Sequence, residues 1–247
     1  MKNLKKLLLA LVVLVGAFSL GFIIWGSTPA HPMPEAISAL ASSDAVTVQT
    51  GKWLVFEPAG STSSTTGYIF YPGGRVDYKA YAPMAKSLAQ KGFLVVIPRM
   101  PLNLAVFGIN KAADVIAAHP EISHWVMGGH SLGGSMAANY VYEHPDQIDG
   151  LVFLASYPAD NNNLSNYSGS VLSISGSLDG LATPAKIDHS KGLLPKGTVW
   201  VSIEGGNHAQ FGWYGPQKGD NAATISLEEQ QSAVIQNTLE LLKKVNP

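Results

Sequence analysis

Apolar positions follow three different patterns along this chain. Residues 7–25 form one uncharged, almost wholly apolar run, LLLALVVLVGAFSLGFIIW. Residues 46–57 begin with the alternation Val46-Thr47-Val48 and continue through Trp53-Leu54-Val55-Phe56, which predicts two antiparallel strands at a sheet edge, followed by a polar turn over 61–66. From Tyr68 onward, short continuous apolar runs alternate with stretches of helical period. The runs 68–71, 93–97, 124–128, 151–156, 171–175 and 199–203 read as strands, most of them buried on both faces. Residues 78–91, 109–118, 132–143 and 226–245 read as helices. The first of these lines up Tyr81, Met84, Ala85, Leu88 and Ala89 and stops at Gly92. The last opens on the capping box Ser226-x-x-Glu229 and faces inward through Val234, Ile235, Thr238, Leu241, Leu242 and Val245.

Strand and helix in regular alternation predict an α/β fold with a mostly parallel sheet covered by helices on both faces, since parallel neighbours need crossover connections. The link between the strand ending at Ser156 and the one starting at Val171 is short, and polar towards its end. It is too short for a cap domain, so the carboxyl ends of the strands should be open.

The first run changes the picture of where the domain lives. It is 19 residues long and follows Lys2, Lys5 and Lys6. A helix needs about 20 apolar residues to cross a hydrocarbon core, whereas the apolar stretch of a cleaved signal is about 7–15. The expectation is an uncleaved signal-anchor over 1–26, a Pro/Ala/Ser-rich linker over 27–45 and a catalytic domain over 46–247. The lysines would stay in the cytoplasm and the domain would lie outside a cell membrane. Secretion after cleavage near Thr28-Pro29-Ala30 is the alternative. All 17 acidic residues lie beyond position 27, with 13 of the 16 basic ones. The remainder is acidic and without a basic cluster, which argues against nucleic acid as a partner. There is no cysteine, which excludes disulfides, a thiolate nucleophile and thiolate metal sites. Nothing in the sequence sets an oligomeric state.

Candidate chemistry centres on Gly129-His130-Ser131-Leu132-Gly133-Gly134, between a predicted strand and a predicted helix. A glycine two before and two after a serine permits a turn too sharp for side chains at those positions. The serine is held clear of the sheet, near the positive end of the helix that follows. Ser131 is the candidate nucleophile, and His130 reads as a supporting residue. A serine hydroxyl needs a base, normally a histidine held by a carboxylate. Of seven histidines, His208 follows a strand (199–203) through Glu204-Gly205-Gly206-Asn207, so it sits at a strand's carboxyl end, where open α/β sheets bind ligands. Asp179, in Gly176-Ser177-Leu178-Asp179-Gly180 after the strand 171–175, is the candidate acid, with Asp160 as the reserve. Two amides are needed for an oxyanion. Leu132 offers one, and Pro72-Gly73-Gly74 after the strand 68–71 offers the other, with Gly74 preferred and Arg75 next. No cofactor and no metal are called for.

Together these motifs resemble the α/β-hydrolase superfamily over about residues 66–245. Tyr71-Pro72-Gly73-Gly74 stands where most members have His-Gly-Gly, the Ser131 hexapeptide matches the nucleophile elbow, and Asp179 and His208 match the other triad positions. The chain is similar to small uncapped bacterial enzymes related to dienelactone hydrolases, although their best known members use cysteine where this chain has Ser131. The resemblance implies an α/β-hydrolase fold, a Ser131-His208-Asp179 triad and a small-molecule ester as substrate. Residues 98–104 and 211–215 also look family-like and are expected to border the pocket. An amidase or thioesterase with the same triad, and a non-catalytic surface binding protein on the same fold, are the alternatives.

Overall fold

A computed structural model describes residues 2–60 and 65–246. Eight strands form one sheet: β1 (Val46–Thr50), β2 (Trp53–Pro58), β3 (Thr66–Tyr71), β4 (Leu94–Pro98), β5 (His124–His130), β6 (Gly150–Leu154), β7 (Ser170–Gly176) and β8 (Val199–Ile203). Their order across the sheet is β1-β2-β4-β3-β5-β6-β7-β8. β1 and β2 pair antiparallel with Val48 opposite Phe56, and β2 runs antiparallel to β4. Every pairing from β4 through β3 to β8 is parallel. The expected edge hairpin and parallel series are therefore both present, with strand ends displaced by a residue or two. Of the expected 61–66 turn, residues 61–64 lie outside the described residues.

Seven α-helices accompany the strands among the described residues: α1 (Lys2–Ser27), α2 (Pro34–Ser38), α3 (Ala82–Ala89), α4 (Lys111–Ala118), α5 (Leu132–Glu143), α6 (Pro184–Ser190) and α7 (Leu227–Val245). Side-chain alternation sorts the core into two layers, because successive residues of a strand point to opposite faces. From β3, Tyr68 and Phe70 join α3 and α7 in one layer, with Met84, Leu88, Val234 and Leu242. Ile69 and Tyr71 join α4 and α5 in the other, with Val115, Ala137, Ala138 and Val141. α7 is capped as its sequence predicts: Ser226 Oγ accepts from the Glu229 amide, and the Glu229 carboxylate accepts from the Ser226 amide at 2.8 Å. Residues 155–169 contain no helix or strand, so no cap stands over the sheet.

The first helix differs from the rest. Asn3–Ser27 is long and apolar enough to cross a membrane, with mean hydropathy 2.9, and its apolar surface is exposed. Residues 27–45, expected as a linker, lie against the body. Ala30 bridges Val76 in parallel, its amide donating to the Arg75 carbonyl at 2.7 Å while the Asp77 amide donates back to the Ala30 carbonyl at 3.0 Å. The Met33 amide donates to the Trp213 carbonyl at 2.8 Å, and Ala36 is fully buried. Backbone groups make most of these attachments, so the segment's composition gave no sign of them.

Candidate active site

Ser131 ends the β5-to-α5 turn with φ 51° and ψ −122°, a conformation that a residue with a side chain seldom adopts. The turn exists because its flanks have no side chains. A Cβ on Gly129 would overlap the Gly133 and Gly134 backbone, and one on Gly133 would overlap the carbonyl oxygens of Tyr71 and Pro72. Three bonds fix the strained residue. Its amide donates to the Leu154 carbonyl at 3.0 Å, and its carbonyl accepts from Ser156 Oγ at 2.6 Å and from the Ser135 amide at 3.2 Å.

His208 and Ser131 line one cleft of about 290 Å³, together with Leu132, Ser135, Ala155, Ser156, Tyr157, Leu181 and Ala182. Behind His208, Asp179 Oδ2 lies 2.8 Å from the imidazole Nδ1, and both side chains are almost completely buried. The other carboxylate oxygen, Asp179 Oδ1, accepts from the amides of Leu181 and Ala182, each at 2.7 Å. The carboxylate is thus held at both oxygens, which fixes the imidazole as an Nδ1–H tautomer and leaves Nε2 as the acceptor. His208 Nε2 is buried and has no hydrogen-bond partner among the described residues. Asp160, the reserve acid, is exposed, and the carboxylate bonded to His208 is that of Asp179.

The two candidate backbone donors sit on neighbouring loops. Leu132 is the first residue of α5, so its amide has no partner within the helix. In the opposite loop, the Gly73 amide donates to Tyr81 Oη at 2.9 Å and the Arg75 amide to the Asn103 carbonyl at 2.7 Å. Both neighbours are committed, and the Gly74 amide between them has no partner among the described residues. A Cβ on Gly74 would lie 3.1 Å from Leu132 Cδ2, so the two loops meet there.

A second histidine stands beside the first. His130 is buried, its ring centroid 4.6 Å from that of His208. Tyr81 Oη accepts from the Gly73 amide, which leaves its own proton for His130 Nδ1 at 2.9 Å. Burial, with the charge of His208 as the next contribution, holds the His130 pKa well below the ordinary histidine value. His130 therefore stays neutral and adds no charge behind His208. Burial likewise pushes the Tyr81 hydroxyl far above the ordinary tyrosine range, so it remains a donor.

Several neighbours were missed or misplaced by sequence reasoning. Tyr157, Leu181 and Ala182 line the cleft without belonging to any motif; the signal was their place just after strand ends, in segments already holding candidate residues. The 211–215 run, expected at the pocket border, sits behind the histidines instead. Phe211 stacks on His130 with ring centroids 5.9 Å apart, and Tyr214 lies 6.2 Å from the same ring. These aromatic rings are core, since Phe211 is 1% exposed and Tyr214 7%. Of the 98–104 stretch, Leu104 reaches the Gly74 loop, while Leu102 packs on Gly26 at the end of α1.

A model of the alpha/beta hydrolase family matches residues 67–232. No curated protein matches the chain. Similar solved structures include a dienelactone hydrolase from Anabaena variabilis, 16% identical with TM-score 0.62, covering 82% of this chain and 100% of that one. The esterase domain of a Rhodothermus marinus protein is 11% identical with TM-score 0.61 over 79% of this chain and 93% of that one. A CIB-like hydrolase from Thermoplasma acidophilum is 15% identical with TM-score 0.60 over 79% and 99%. At such identities the likeness is one of fold. The family match runs from β3 into the start of α7, and so takes in both candidate amide loops, the Ser131 turn, Asp179 and His208: the chain belongs to the alpha/beta hydrolase family.

Proposed function

We propose that this protein is a serine hydrolase that cleaves carboxylic esters through an acyl-enzyme on Ser131. The observation that carries the reading is the buried His208–Asp179 bond at 2.8 Å, beside a serine held at φ 51° in the same cleft. In the first step Ser131 Oγ attacks the ester carbonyl carbon while His208 Nε2 takes its proton. The carbonyl oxygen becomes an oxyanion held by the Leu132 and Gly74 amides. Collapse breaks the bond to the alcohol, which leaves with the proton from His208. Water then attacks the acyl carbon, again through His208, and returns Ser131 with release of the acid. Asp179 orients the imidazole and stabilises its charged form throughout.

The α1 helix is read as an uncleaved anchor that holds the hydrolase domain outside the cell membrane. Its length favours a span, and the lysines at its start favour a cytoplasmic N-terminus. The test is a panel of p-nitrophenyl ester, amide and thioester substrates offered to the purified full chain in detergent. Ester turnover that disappears in His208→Ala supports the reading. A preparation that leaves every ester intact, or that cleaves amides and thioesters only, overturns it.

A further inference from the structure

The candidate amide loop is tied directly to the end of the apolar helix. Arg75, next in sequence to Gly74, donates from Nε to the Trp25 carbonyl at 2.9 Å and from its terminal nitrogen to the Thr28 carbonyl at 2.6 Å. Its guanidinium lies 4.4 Å over the Trp25 ring. The Asn103 side chain donates to the Gly26 carbonyl at 2.9 Å, and Gly26 is buried where a Cβ would stand 2.9 Å from that of Leu102. Arg75, Leu102 and Asn103 all have positive φ, at 56°, 52° and 55°. Three residues with side chains held this way in one contact indicate a joint that the surrounding bonds define.

This joint ties the loop that holds Gly74 to the end of the apolar helix. Trp25 closes the apolar run, where aromatic side chains mark a membrane interface. Phe22, one turn earlier, meets Phe107 edge to face at 6.2 Å. Phe22 lies inside the apolar run, about 4.5 Å of helix rise before Trp25, so Phe107 is in contact with a side chain of that run. Val106 and Phe107 are 46% and 51% exposed, which an aqueous surface does not favour but an acyl-chain boundary does. The 105–107 turn packs on α5, whose first residue is Leu132 in the cleft wall. Exposed Arg99 shares with Leu102 and Ser27 the recess at the base of α1, and a cation beside an apolar span suits anionic lipid.

We infer that α1 and the 99–107 loop hold the mouth of the Ser131 cleft at the bilayer surface, so that the substrate is an ester carried by a membrane amphiphile. The inference rests on the anchored-esterase reading and adds the source of the substrate. The acyl ester of a bilayer lipid reaches Ser131 by rising into the cleft past Val106 and Phe107. The alcohol portion remains in the membrane after acyl transfer, and water releases the fatty acid.

The test uses the full chain in vesicles of phosphatidylcholine and phosphatidylglycerol. Because the chain has no cysteine, Val106→Cys and Ser168→Cys each accept one bimane label; exposed Ser168 lies at the opposite end of the sheet, before β7. Doxyl-labelled lipid is expected to quench the label at 106 and spare the one at 168. A diacylglycerol with a fluorescent acyl ester and p-nitrophenyl acetate are then compared in Phe107→Asp. The lipid ester is expected to lose about tenfold in rate and the acetate to change by less than about twofold. Equal quenching at both positions, or an equal loss on both substrates, overturns the inference. Native protein that turns over acetate but not the lipid ester overturns it while leaving the esterase reading intact. Failure on both esters defeats the esterase reading and the lipid substrate with it, whereas the quenching pair still reports where the domain sits.

Discussion

Asp179 Oδ2 and His208 Nδ1 lie 2.8 Å apart, in a place where neither residue has appreciable contact with solvent. The remaining carboxylate oxygen is saturated by two backbone amides of the same loop. A carboxylate so confined acts on the imidazole through orientation and charge. Asp179→Asn keeps the shape and removes the charge, so kcat on p-nitrophenyl acetate should fall on the order of 10⁴-fold with KM little changed. A loss under tenfold would show that Asp179 does not govern the His208 tautomer.

The Ser131 turn makes a prediction about stability. Gly133→Ala pushes a methyl group into the Tyr71 and Pro72 carbonyls, which are backbone and cannot swing aside. It should cost roughly 1–3 kcal/mol or more and distort the nucleophile. Gly192 has open space around its Cβ position, and Gly192→Ala should stay within about 0.5 kcal/mol of the native chain. Urea midpoints in detergent micelles compare the two; equal values would contradict the close approach.

His130 gives a pH dependence whose sign is fixed. Its folded pKa is well below 6.5, so at falling pH the unfolded chain takes up a proton that the folded chain refuses. The contribution to stability is complete above about 6.5 and declines below it, by at most about 1.4 kcal/mol per pH unit. Urea midpoints between pH 7.5 and 5 should fall less steeply in His130→Gln than in the native protein. Parallel curves would mean that His130 takes up its proton equally in the folded and unfolded chain.

Tyr81 joins the two halves of the site, as acceptor for the Gly73 amide and partner of His130. Tyr81→Phe leaves a buried amide unpaired at a cost of about 1–3 kcal/mol. By freeing the loop before Gly74, it should also lower kcat roughly tenfold. Unchanged kcat with lowered stability would limit Tyr81 to a packing role.

Much of this was legible in the sequence. The Ser131 turn, the β8 position of His208 and the β7 position of Asp179 announce themselves because glycine spacing and apolar runs are local signals. Contacts between distant segments left no such trace. The Tyr81–His130 pair joins residues 49 apart in sequence; His130 stands in the Ser131 motif, but nothing around Tyr81 marks it as the partner. The 211–215 aromatics gave a correct signal of importance and a wrong address, since a loop aromatic reads alike whether it lines a cleft or backs a histidine. The 27–45 segment misled most. Its Pro/Ala/Ser composition has the look of a spacer, yet backbone bonds to Arg75, Asp77 and Trp213 lay it along the domain.

The central claim is that Ser131 is the residue acylated. Ser135 and Ser156 line the same cleft, so activity loss alone does not single it out. The decisive measurement is peptide mass spectrometry of the full chain after reaction with a fluorophosphonate probe, with Ser131→Ala alongside. One adduct is expected, on the peptide bearing Ser131, and none in the variant. An adduct on Ser135 or Ser156, or undiminished labelling of Ser131→Ala, would contradict it.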